Sequence, residues 1–163
     1  MKTLLRTLLY LSLAVWLGGE IFFPVVAAVT FTTLQPDTHR AGAIVGALLR
    51  ILHGMGLVAG MTALAVLALS AARGIYKPRA VLAPMGLLIA MIALTTGSQF
   101  GVTPAMEQER IAVGGSMNQA APNNPSRLHF ERLHKQSEQM EGGILLMGLV
   151  VVVLVAYAES SRP

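Results

Sequence analysis

Four long apolar stretches, separated by short polar breaks, organise the chain. They run over about residues 4–31, 41–72, 80–100 and 142–158. About 20 helical residues cross ~30 Å of hydrocarbon. The first three stretches meet that length. The fourth is at its lower limit, but a charged stretch before it, 127–141, extends the same helix out of the bilayer. In lipid every backbone polar group must be paired within the chain, so runs of this kind form helices. The pattern predicts an all-α fold: one integral membrane domain over 1–163 with four transmembrane helices, the last extended.

The breaks carry turn chemistry. Gln35-Pro36-Asp37-Thr38 forms the first, and Asp37 or Thr38 suits the cap of the next helix. Arg73-Gly74-Ile75-Tyr76-Lys77-Pro78-Arg79 forms the second, where Gly and Pro stop helices. The third span continues as a more polar helix to Glu109 with a bend at Pro104, and 111–125 is the long outer loop. Pro125 or Ser126 opens the last helix. A cleaved leader competes for the first span, but Glu20, Phe22, Phe23 and Pro24 make a poor cleavage region.

Composition sharpens this picture. Of 163 residues, 54% are hydrophobic and 12% charged, about half the charged share of a soluble domain. The absence of Cys excludes disulfides and thiolate metal sites. The net charge of +4 does not imply nucleic acid, because the cations are scattered beside apolar segments. Lys2, Arg6, Arg73, Lys77, Arg79 and Arg162 would share one side. Arg40, Arg110, Arg127, Arg132 and Lys135 would share the other. Short loops weigh most, and the second holds three cations against one in the first. Both termini are therefore expected on the cytoplasmic side of a bacterial inner membrane.

Ionisable groups inside spans are costly and usually face protein or water. Arg50 and His53 are three apart and share a face of the second span with Gly42 and Gly46. Gly42-x3-Gly46 and Gly56-x3-Gly60 are spacings at which another helix can approach closely. Glu20 is the expected partner of Arg50. On the last helix Phe130, His134, Ser137 and Glu141 form one stripe. The stripe is expected to look inward and to meet Glu20, Arg50, His53, Gln99 and Thr103 in an outer polar cluster. Glu131, Lys135 and Glu138 read as a solvated face. Imidazole and carboxylate suit a metal ion or haem, which makes His53 and His134 candidate ligands. Their different depths argue against one shared ion; a common water-accessible mouth is the expectation. The Met residues, without closely spaced pairs, read as packing.

A resemblance attaches to particular segments. Trp16–Ala27 resembles the opening signature of the family of small four-helix membrane proteins that includes transmembrane protein 205 and bacterial relatives. Gly101–Met106 resembles the end of that family's third span. Phe130-x2-Leu133-His134-x2-Ser137 resembles the motif opening its last helix. The resemblance covers nearly the whole chain and implies no catalytic residue. That family is distantly similar to CopD-like and HemJ-like membrane proteins, which implies haem or a metal as an alternative to no cofactor. No nucleophile or phosphate-binding motif is present. The expected role is therefore a non-enzymatic, helix-packing or accessory subunit, its partners being the bilayer, itself or another membrane protein. The alternatives are a binding or carrier protein for a metal, haem or small solute, and a haem-linked oxidoreductase.

Overall fold

The computed structural model describes residues 1–160. The helices are α1 (Lys2–Thr33), α2 (Thr38–Ala72), α3 (Pro78–Gly97), α4 (Thr103–Ala112) and α5 (Pro125–Ser160). A π-helical turn, Ser98–Val102, joins α3 to α4, so these read as one span with an interruption. Four helical segments are long and apolar enough to cross a membrane, and no strand occurs among the described residues. The chain is a multi-pass membrane protein with an extended last helix. Arg162 lies outside the described residues.

Local chemistry sets the boundaries. Asp37 caps α2 by accepting from the Arg40 N–H at 2.9 Å. After α2, Gly74 takes φ +66°, and the Ile75 N–H closes the reversal on Ser70 O at 2.9 Å. Pro78 then occupies the first position of α3, where its missing N–H costs nothing. Asn124 caps α5, its side chain accepting from the Ser126 N–H at 2.9 Å.

The third span differs from the simple bend expected at Pro104. The Thr103 N–H reaches back five residues to Ser98 O. Proline cannot donate to the carbonyl four residues before it, and one extra residue in the preceding turn accommodates that gap.

The helices alternate in direction. One end of the bundle therefore holds the N-terminus, the α2–α3 turn and the end of α5. The opposite end holds the α1–α2 turn and the loop 113–124. We call these the terminal end and the loop end. Packing runs α1 on α2, α2 on α3 and α3 on α5, and the closing seam between α1 and α5 is the thinnest. The dry core fills the terminal half: Leu9, Trp16, Leu67, Leu88, Ile144 and Val151 are fully buried there. Trp16 packs into the Gly56-x3-Gly60 notch. A Cβ on Gly56 would lie 2.6 Å from Trp16 Nε1, and one on Gly60 would strike the far edge of the same ring. Phe22, Val25, Val58, Leu82, Phe100 and Val153 point outward, as lipid-facing side chains do.

Both ends are tied by polar contacts. At the terminal end Glu159 accepts from the Tyr76 hydroxyl at 2.9 Å and lies 3.5 Å from Arg6 Nε. At the loop end Arg110 grips Glu107 through two N–H groups, at 2.6 and 2.8 Å. His129 pairs with Glu109 at 2.6 Å, and Asn118 donates to Thr38 Oγ1 at 2.9 Å.

Candidate functional site

The buried and half-buried polar residues meet midway along the bundle, where the dry core ends. Glu20 comes from α1, His53 from α2, Ser98 and Gln99 from the π turn, and Glu141 from α5. His53 is fully buried. Its Nδ1 lies 3.0 Å from Gln99 Oε1 and its Nε2 2.8 Å from Glu141 Oε1. Both partners are acceptors, so each ring nitrogen that carries a proton donates it. Ser98 Oγ donates to the same Glu141 oxygen at 3.1 Å. Ser98 and Gln99, neighbours at the start of the π turn, reach different members of one network, Glu141 and His53.

Glu20 is 5% exposed and faces Trp16, Glu141 and His53. Its Oε1 has no hydrogen-bond partner, and neither have Trp16 Nε1 and Glu141 Oε2. Unpaired buried polar atoms are rare enough to require a cause.

A cavity of about 560 Å³ opens from this network toward the loop end. Its size is within the usual range for small-molecule sites. Glu20, Phe23, Pro24, Ala27, Ala28 and Phe31 form the α1 wall. Gly42, Val45, Gly46 and Leu49 form the α2 wall. Phe130, His134, Ser137, Glu138, Glu141, Gly142 and Leu145 form the α5 wall, with Met106 above. The inward stripe expected on the last helix, Phe130, His134, Ser137 and Glu141, therefore lines one cavity. Gly42 and Gly46 do not seat a neighbouring helix as expected: a Cβ on either meets nothing within 4 Å. The notch between these two glycines is part of the open space.

Three further expectations are corrected. Arg50 does not pair with Glu20. It is exposed, and its charge acts on Glu107 at the loop end. The α2 face that carries His53 inward carries Arg50 out of the bundle, because the two residues are about 60° apart around the helix. His53 and His134 do not share a mouth. His53 is sealed behind Glu141, whereas the His134 side chain is 58% exposed, stacks on Phe130 and lies 3.3 Å from Glu138. Glu138, assigned to the solvated face, also lines the cavity. Thr103 is buried as expected, but its hydroxyl has no partner.

Sequence reasoning missed Ser98, since nothing in the periodicity announces a π turn. The nearest signal was Pro104 following Gly97 and Gly101. Trp16 and Glu20, four residues apart, stand one turn apart on a common face of α1.

A metal ion does not fit this donor set. Both His53 nitrogens are committed, and among the described residues no three His or carboxylate side chains gather as ligands.

Residues 11–111 match a family model described as a domain of unknown function, DUF4149. The chain belongs to this family. The match takes in Trp16–Ala27 and Gly101–Met106 and ends before the Phe130–Ser137 motif. No curated protein and no solved structure matches the chain. No named homologue supports the likeness to transmembrane protein 205 or to CopD-like and HemJ-like proteins. In this DUF4149 protein the matched region supplies Glu20, His53, Ser98 and Gln99, whereas Glu141 comes from the helix beyond it.

Proposed function

We propose that this protein is a non-enzymatic binding or carrier protein for a small amphiphilic solute. It would act in the bacterial cytoplasmic membrane with both termini cytoplasmic. The observation that carries the reading is the 560 Å³ cavity, apolar along its walls and floored by Glu20 and Glu141, each with an unpartnered oxygen. A cavity with apolar walls and a few convergent polar groups is the usual form of a ligand site. The thin α1–α5 seam gives a solute dissolved in the bilayer a short way in. Among the described residues no three His or carboxylate side chains gather as metal ligands, so no step is assigned to a metal ion.

The test is retention. Protein purified in mild detergent is extracted with organic solvent, and the extract is compared by mass spectrometry with that of Gly46→Leu, whose new side chain would fill the cavity. A small molecule held by the wild type and lost in the variant supports the reading; identical extracts overturn it. Reporter fusions after Lys77 and after Asn118 test the orientation. Activity of an external reporter at Lys77 would invert it.

A second reading is favoured by one observation, the open face at Gly42 and Gly46. That face would seat a helix of another membrane protein or of a second copy, as in an accessory subunit. A partner co-purifying with the wild type and lost in Gly46→Leu would select it.

A further inference from the structure

The charge balance of the cavity floor goes beyond its shape. Two carboxyl groups, Glu20 and Glu141, face each other there. His53 can offset at most one negative charge. A third carboxylate, Glu138, stands at the rim beside exposed His134. Among the described residues no Lys or Arg lines the cavity. Arg50, within the second apolar span, is exposed, and its charge acts on Glu107 instead. The protein thus builds an acidic floor in a membrane and supplies less than its full counter-charge. An uncompensated carboxylate away from water is costly. Glu20 is more than nine-tenths buried, and its Oε1 makes no well-formed hydrogen bond although the Trp16 indole and the Glu141 carboxyl lie beside it.

Resting on the binding reading above, the geometry points to a ligand whose head is a protonated amine and whose body is apolar. The ammonium N–H groups would donate to the Glu20 and Glu141 carboxylates, which line the floor. The body would lie along Phe23, Ala27, Val45 and Leu49. A head with N–H donors fits better than a quaternary ammonium, because the floor groups Glu20 and Glu141 are hydrogen-bond acceptors. An amine-headed phospholipid fits worse than a free amine: its phosphate would stand among Glu20, Glu138 and Glu141 with no Lys or Arg to receive it.

The sole tryptophan of the chain reports on the site, since Trp16 lies beside Glu20. Three probes with the same eight-carbon chain are titrated against Trp16 fluorescence: octylamine, octanol and octanoate. Wild-type protein in phosphatidylcholine nanodiscs is compared with Gly46→Leu and Glu20→Gln. Octylamine should bind about tenfold or more tightly than octanol, as a charge-assisted hydrogen bond allows. Octanoate should bind weakest. Glu20→Gln should remove the preference for the amine while leaving octanol binding in place. If Glu20→Gln does not fold, Glu141→Gln replaces it, and the wild-type ranking of the three probes is itself decisive.

Equal binding of amine and alcohol, both lost in Gly46→Leu, overturns the cationic head and leaves the cavity reading standing. Responses unchanged in Gly46→Leu overturn both. Tightest binding of octanoate overturns the charge argument. Octylamine binding that disappears in phosphatidylethanolamine nanodiscs assigns the floor to a lipid head and overturns the free amine.

Discussion

Two glycine pairs on α2 have the same spacing and opposite uses. Gly56 and Gly60, in the terminal half, are filled by the Trp16 ring from α1. Gly42 and Gly46, in the loop half, meet nothing and border the cavity. The small-x3-small pattern marks where a helix surface is low, and the facing side chain decides whether the hollow is packed or open. On α1 the residues facing the lower pair are a large aromatic. Those facing the upper pair include Ala27 and Ala28, beyond the Pro24 turn. The terminal half is accordingly a dry core closed by Tyr76 and Glu159. The loop half holds a cavity floored by Glu20 and Glu141.

Substitution at equivalent glycines gives the largest expected contrast. Gly60→Leu forces a branched side chain into the Trp16 ring and should cost about 3 kcal/mol or more. The same change at Gly46 should alter stability by less than about 0.5 kcal/mol, as for sites without contacts. Thermal unfolding in one detergent checks both, and equal losses would erase the distinction between the halves. His53→Leu tests the boundary between them. It removes the partner of Gln99 and of Glu141 and leaves a buried carboxylate oxygen with only Ser98. A loss of about 2 kcal/mol is expected, read in the same melts. Gln99→Leu added to His53→Leu should cost much less than Gln99→Leu alone, because its hydrogen-bond partner is already gone.

The terminal end gives a smaller effect than the His53 network. Burial and the Glu159 carboxylate hold the Tyr76 hydroxyl above its ordinary range. A folded-state value raised in this way contributes stability that is present below about pH 10 and lost as pH rises through the folded value. Tyr76→Phe should remove about 1 kcal/mol at neutral pH and flatten the alkaline limb of the stability profile. An unchanged alkaline limb would show that the tie at this end is not energetic.

Much of the site was legible residue by residue. Four-three-four spacing placed Phe130, His134, Ser137 and Glu141 on one stripe, and that stripe lines the cavity. Glu20, His53 and Gln99 were expected inside the bundle and are found there. Arg50 was misplaced because residues three apart share a broad face but not a direction. A long cationic side chain can also keep its apolar stem on the protein while its charge reaches away from the core. Ser98 was invisible because helical periodicity assumes a ladder that the π turn breaks.

Hydrophobic length determined four membrane helices, since a hydrocarbon slab demands about 20 apolar residues and full backbone pairing. Turn residues determined where those helices stop: Asp37, Gly74, Pro78 and Asn124 act through bonds to their own neighbours. These are local or one-dimensional constraints, so they can be read in order along the chain. Only the tertiary structure decided which hollow Trp16 fills, that Arg50 leaves the bundle, and that Glu20 and Glu141 meet over a cavity. Each of those outcomes depends on the rotation of one helix about its axis relative to another. That rotation is set by the packing of all the helices at once.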